Sequence, residues 1–235
     1  MGTDDLFKKR REQRKQRKRE FKTPKANSFL IVTEGERTEP FYFKGIQKLI
    51  KEKVGGAVDV IEVPTIDVYG QGSSTEKLIE ITERLVKEAK IIYQNVWVVF
   101  DKDDFNDFDE AIKRGQSMGY NIAWSNQSFE YWLYMHFAYS DSALHREEWN
   151  KKLDEVFAQY GLGDGCYRKN YEDIYKLVDS YDGVNTAIKN AKRRMADFND
   201  KKDLPSKYDQ GTKVHELLIE LKKYLETSSI RCLAS

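Results

Sequence analysis

Apolar residues occur in short unbroken runs between amphipathic stretches over the first 140 residues, and almost only in amphipathic stretches after that. Residues 28–33, Ser-Phe-Leu-Ile-Val-Thr, form a run of the kind expected for a strand buried on both faces. Val96-Trp-Val-Val-Phe100 is a clearer one, 57–63 a weaker one, and Tyr120–Trp124 resembles a fourth strand. Between the runs lie helical patterns. Thr38 precedes Pro40 and the apolar series Phe41, Ile46, Leu49 and Ile50, which predicts a helix capped by Thr38 or by the acid after it. Tyr69-Gly-Gln-Gly-Ser-Ser74 reads as a loop, followed by a helix from Ser74 or Thr75 to about residue 90. Asn106–Met118 has helical composition, and Ser128 is placed to cap Phe129–Phe137, whose Phe129, Trp132, Leu133 and His136 share one side. Helices follow at roughly 145–160, 170–181, 183–199 and 211–226, with breaks at 161–165 and 204–211.

Strands alternating with helices and then helices alone predict an α/β fold. The expected architecture is a mainly parallel four-stranded sheet flanked by helices, with a C-terminal helical extension. The corresponding divisions are an arm at 1–26, flexible or helical, a core at 27–140, an extension at 141–226 packed on the core, and a tail at 227–235.

Composition adds two constraints. No apolar run reaches the roughly 18 residues that cross a bilayer, and the N-terminus lacks the apolar centre of a secretion signal, so a cytoplasmic protein with no membrane partner is expected. Cys166 and Cys232 are the two cysteines, without metal-site spacing, which argues against a disulfide framework or a zinc cluster. Net charge is near zero but unevenly spread. Residues 1–25 carry Lys8, Lys9, Arg10, Arg11, Arg14, Lys15, Arg17, Lys18, Arg19, Lys22 and Lys25 against Asp4, Asp5, Glu12 and Glu20. A basic arm on an acidic body points to a polyanion, and the first nine of these cations are the expected nucleic-acid contacts; a solvated tail is the bland alternative.

The chemistry lies where buried strands end. The 28–33 run stops in Glu34-Gly35-Glu36, and 96–100 runs into Asp101-Lys-Asp-Asp104. Right-handed crossovers bring the C-terminal ends of parallel strands to one edge, so Glu34 and Asp101 should converge. Residues two apart in an extended segment share a face, which adds Asp103 and turns Lys102 away; Asp104 should point elsewhere, as an outer neighbour. Crowded carboxylates take up protons or bind a hard cation, and oxygen-only donors favour Mg2+ or Mn2+ over zinc. Such an ion suits phosphoryl chemistry. Glu36 and Glu39 fit a helix-dipole role as well as a metal role. Glu130, in the first turn of its helix, is within reach of the same crevice, and Lys169 is placed to steady a phosphate, though a dipole partner and a surface lysine explain them too. His136, inside an apolar stripe, reads as a hydrogen-bonded core histidine rather than a ligand. Lys192-Arg193-Arg194 suits a nucleic-acid backbone or an ordinary charged helix end.

Thr33-Glu34-Gly35-Glu36-Arg37-Thr38-Glu39-Pro40 with Tyr42, then Val96–Asp101-Lys-Asp-Asp-Phe105, resemble the RloB-like proteins. So do Ser125-Asn126-Gln-Ser-Phe129-Glu130-Tyr-Trp132-Leu133 with His136-Phe137, Tyr167-Arg-Lys169, Asn190-Ala191 and Thr212–His215, in the same order over roughly residues 27–225. That family is similar to a branch of the Toprim fold near the OLD nucleases, and it is associated with restriction loci and abortive infection by phage. The resemblance implies metal-dependent cleavage of DNA or RNA, with Glu34 as metal ligand or general acid/base and Asp101 and Asp103 as ligands. Here the acid that follows Glu-Gly is displaced, leaving Glu39 as its counterpart. No G-x-x-x-x-G-K-[ST] occurs, so the implied ATPase would be a separate partner; self-association stays open. The competing readings are a non-catalytic metal-binding sensor or interaction module and, more weakly, a phosphoacceptor domain using Asp101.

Overall fold

In the computed structural model, which describes residues 22–55, 65–72, 75–102, 107–199 and 203–231, the apolar runs form a four-stranded, all-parallel sheet. Its strands are β1 (Thr23–Thr33), β2 (Thr65–Gly70), β3 (Ile91–Lys102) and β4 (Asn121–Asn126), in the spatial order β2-β1-β3-β4. The first crossover, from β1 to β2, runs through helix α1 (Thr38–Gly55); the others run through α2 (Thr75–Glu88) and α3 (Phe108–Ser117). α4 (Phe129–Tyr134) follows β4 almost at once, and then come α5 (Arg146–Tyr160), α6 (Ile174–Val178), α7 (Gly183–Met195), a 3-10 turn at Pro205–Lys207 and α8 (Val214–Arg231).

The strands are apolar on both faces because both faces are covered. On one side Phe29, Ile31, Trp97, Val99 and Ala123 pack with Tyr42, Phe43, Phe129 and Trp132, and this interior continues through Trp149, Phe157 and Ile174 to Leu217 and Leu221. The helices beyond residue 140 therefore share one hydrophobic interior with the sheet. On the other side Leu30, Val32, Val98, Phe100, Ile122 and Trp124 meet Leu78, Ile79, Phe108, Ile112 and Tyr208. His136 is a core histidine: it contacts the Tyr42 hydroxyl at 2.9 Å and the Trp132 carbonyl at 3.0 Å, and burial lowers its pKa to about 4.

Several expected boundaries move. The second strand lies at Thr65–Gly70, so Tyr69 and Gly70 are strand rather than loop, while 57–63 falls outside the described residues. β2 is exposed at its end and carries polar residues, which hides it from a hydrophobicity count. β1 and β3 both start earlier than their apolar runs, with Thr23–Lys25 paired to Ile91–Tyr93 in a section that solvent reaches. The stretch 170–181 is helical only at Ile174–Val178, and α8 begins at Val214 because Thr212 first makes an antiparallel bridge to Ser125.

Gly70 brings β2 against the acid turn. A Cβ there would sit 2.6 Å from Pro40 Cγ and 2.7 Å from the Gly35 carbonyl oxygen. Gly70→Ala must then push β2 away from Gly35 and Pro40, and we expect a loss of roughly 1–3 kcal/mol in denaturant-induced unfolding. Wild-type stability in that variant would contradict the packing described.

Candidate functional site

The C-terminal edge of the sheet is assembled by backbone N–H groups that reach from one acid-bearing segment to the next. Glu34 is the first residue past β1; its own N–H donates to the Val99 carbonyl at 2.9 Å, which extends the β1–β3 ladder by one step. Its Oε2 accepts from the Asp101 N–H at 3.1 Å. Asp101 Oδ2 in turn accepts from the Phe129 N–H at 3.1 Å, at the start of α4. β1, β3 and α4 are thus joined through two carboxylates.

Two further acids close on this pair. Glu39, in the first turn of α1, is 9% exposed and lies against Gly35, where a Cβ would fall 2.1 Å from its Oε2. A side chain at position 35 would displace that carboxylate from its place. Glu130, 3% exposed in α4, takes the Tyr167 hydroxyl at 2.9 Å and the Lys169 ammonium at 3.1 Å on the same oxygen, Oε1. Thr38, expected as a helix cap, instead donates its hydroxyl to the Lys169 carbonyl at 3.0 Å and anchors that loop to α1.

Burial is the largest cause that raises the Asp101 pKa well above the usual range, followed by repulsion from Glu39, Glu130 and Glu34. Asp101 retains some solvent exposure, so it is the dense packing around the carboxyl that matters. Glu39 is pushed up to about 7, again chiefly by burial and then by Glu130, while backbone hydrogen bonds and Lys169 work against the rise. Four carboxylates from three regions of the chain therefore sense one another, and the described cation beside them is Lys169.

The donor set is hard oxygen, which suits Mg2+ or Mn2+. The carboxylates are near enough to repel, yet among the described residues no three His, Cys, Asp or Glu side chains stand close enough together to hold a metal as placed. Three of the carboxylates have partners of their own: Glu34 the Asp101 N–H, Asp101 the Phe129 N–H, and Glu130 the Tyr167 hydroxyl with the Lys169 ammonium. Asp103 and Asp104 lie outside the described residues, as do Lys8, Lys9, Arg10, Arg11, Arg14, Lys15, Arg17, Lys18 and Arg19.

Of the residues singled out from sequence, Glu34, Asp101, Glu130, Lys169 and Glu39 come together at this edge. Lys192 and Arg193 are exposed on α7, but Arg194 turns inward to the Gln210 carbonyl at 2.9 Å. One participant was not foreseen, and one expected contact is replaced. Tyr167 holds Glu130, and its position two residues before Lys169 was the signal available. Ser128 was expected to cap α4 with its hydroxyl; Asp101 takes the Phe129 N–H instead, and the Ser128 Oγ is buried without a partner beside it.

Raised carboxyl pKa values make the folded state the tighter proton binder. Their contribution is complete below the unfolded pKa near 4.5 and is lost as pH rises through the folded value of about 7. In chelator, stability should fall between pH 4.5 and 7, and Glu39→Gln should flatten that slope and gain roughly 1–3 kcal/mol at pH 8. Thermal unfolding of both proteins across this range checks the sign; a wild-type slope in the variant would contradict it.

A profile of the RloB-like protein family matches residues 29–221, which takes in Glu34, Glu39, Asp101, Glu130, Tyr167 and Lys169. No curated protein and no solved structure matches the chain. Among the described residues no helix is long and apolar enough to cross a membrane. With the matched segment spanning both acid-bearing strands and the helices that complete the edge, the chain belongs to the RloB-like family.

Proposed function

We propose that this protein is a Mg2+- or Mn2+-dependent nuclease of Toprim type that hydrolyses phosphodiester bonds in DNA or RNA. The observation that carries the reading is the convergence of Glu34, Glu39, Asp101 and Glu130 on one sheet edge, where burial first and then repulsion from the other three acids raises the Asp101 pKa. A structural ion-pair network would match its acids with bases, whereas among the described residues this edge joins four acids with Lys169.

Glu34, Asp101 and Asp103 are the residues that would hold the cation. Once bound, it supplies Lewis acidity at a phosphoryl oxygen and lowers the pKa of an attacking water. Glu39, with a pKa of about 7, is suited to hold or release a proton at neutral pH. Lys169, 59% exposed along its side chain, carries positive charge from the buried Glu130 out to where a phosphate would approach. The basic arm adds salt-sensitive affinity for the polyanion. A role as effector of an anti-phage abortive-infection system in the cytoplasm, with a separate ATPase, rests on the family resemblance and on the lack of a phosphate-binding loop motif in this chain.

A non-catalytic metal-dependent sensor is the second reading, favoured by the Lys169–Glu130 ion pair that occupies part of the edge. The two are separated by incubating the full chain with a panel of DNA and RNA species in Mn2+ and in chelator. The nuclease reading expects cleavage in Mn2+ only. It also expects a loss of at least about 100-fold in Asp101→Asn and Glu34→Gln. Asp101→Asn should not unfold more readily than wild type, because it replaces a carboxyl whose charged form is disfavoured by burial and then by the neighbouring acids. Cleavage that persists in chelator, or in Asp101→Asn, would sink the nuclease reading; intact substrates with metal-dependent partner binding would establish the sensor.

A further inference from the structure

The loop before α6 makes a contact that the acidic residues do not explain. Tyr167, 8% exposed, packs edge-on against Phe157 at 5.6 Å, and its backbone N–H is fixed by Asp154 Oδ1 at 2.9 Å. Both ends of the residue are thereby tied to α5. Its hydroxyl then reaches Glu130 Oε1 at 2.9 Å. Burial, and next the charge of Glu130, raise the phenol pKa well above its usual value, so the group remains a donor throughout the working pH range.

A carboxylate oxygen has two lone pairs in its plane. On Glu130 Oε1 they are taken by the Tyr167 hydroxyl at 2.9 Å and the Lys169 ammonium at 3.1 Å. Oε1 is therefore saturated, and Oε2 is the oxygen left for any further partner. Such outer donors fix the orientation of metal ligands and tune their strength.

Resting on the reading of this edge as a divalent-metal site, we propose that Tyr167 is a positioning residue: together with Lys169 it fills one oxygen of Glu130, so that Glu130 serves a cation shared with Asp101 through a single oxygen, Oε2. Removing the phenol hydroxyl frees Oε1 and lets the carboxylate rotate, without changing the charge of the edge. Lys169 cannot be tested so cleanly, because removing it also removes a positive charge that repels a cation.

The test is Mn2+ binding by the full chain, read as loss of the free-ion electron paramagnetic resonance signal, in wild type and Tyr167→Phe. Phenylalanine keeps the ring on Phe157. The expected result is affinity weakened about 10-fold or more, the range for lost outer-shell partners, with the unfolding midpoint in chelator within a few degrees of wild type. Tyr131→Phe is the control, since that buried phenol donates to the Ser140 carbonyl at 2.8 Å and not to an acid of the edge; it should bind Mn2+ as wild type does. Equal affinity in Tyr167→Phe and wild type overturns the proposal, as does an equal loss in Tyr131→Phe. Weakened Mn2+ binding in Tyr167→Phe with no nucleic acid cut by wild type supports the positioning role and removes the nuclease reading. Cleavage by wild type with unchanged Mn2+ affinity in Tyr167→Phe does the reverse. A wild-type chain that binds no Mn2+ overturns both.

Discussion

Two backbone hydrogen bonds organise the acid edge. The Asp101 N–H donates to the Glu34 carboxylate, and the Phe129 N–H donates to the Asp101 carboxylate. Each bond ties one segment's acid to the next segment's backbone, so β1, β3 and α4 cannot shift independently without breaking a hydrogen bond to a carboxylate. The parallel register makes this possible. Thr33 lies opposite Val99 and Asp101 opposite Ser125, which places the strand ends in a short diagonal row.

Around that row the fold brings in Glu39 and Glu130, in addition to what the backbone bonds can satisfy. Gly35 admits Glu39 by having no side chain, and Gly70 lets β2 approach the same turn. The cost is burial of the carboxyls first and their mutual repulsion second, and it shows in the raised proton affinity of Asp101 and Glu39. Sites that store such repulsion are where proton transfer or cation binding gains the most, since either event relieves it. The apolar layers on both faces of the sheet keep the row rigid enough for the repulsion to persist.

The helices beyond residue 140 complete the edge from outside the alternating strand and helix region. α5 holds Tyr167 through Phe157 and Asp154, and the same loop delivers Lys169 to Glu130. The loop is fastened a second time by the Thr38 hydroxyl on the Lys169 carbonyl. The C-terminal helices are thus part of the site's construction, and the shared hydrophobic interior that runs from Phe29 to Leu225 reflects that.

Hydrophobic patterning alone located three of the four strands, the crossover helices and the two strand ends where Glu34 and Asp101 sit, because burial on both faces forces continuous apolar runs and parallel connection forces their ends together. Where the chain is solvent-exposed or polar the pattern carries no such signal: β2 at Thr65–Gly70, the early starts of β1 and β3, and the short α6 were placed by pairing and packing. The acids of the site were legible as residue types at strand ends, but which partner each takes was not. Asp101 displaces Ser128 as the acceptor at the start of α4, Thr38 serves Lys169 instead of its own helix, and Tyr167 shares Glu130 with Lys169. Those choices depend on distances between segments far apart in the chain, and only the tertiary structure brings the competing donors within reach of one carboxylate.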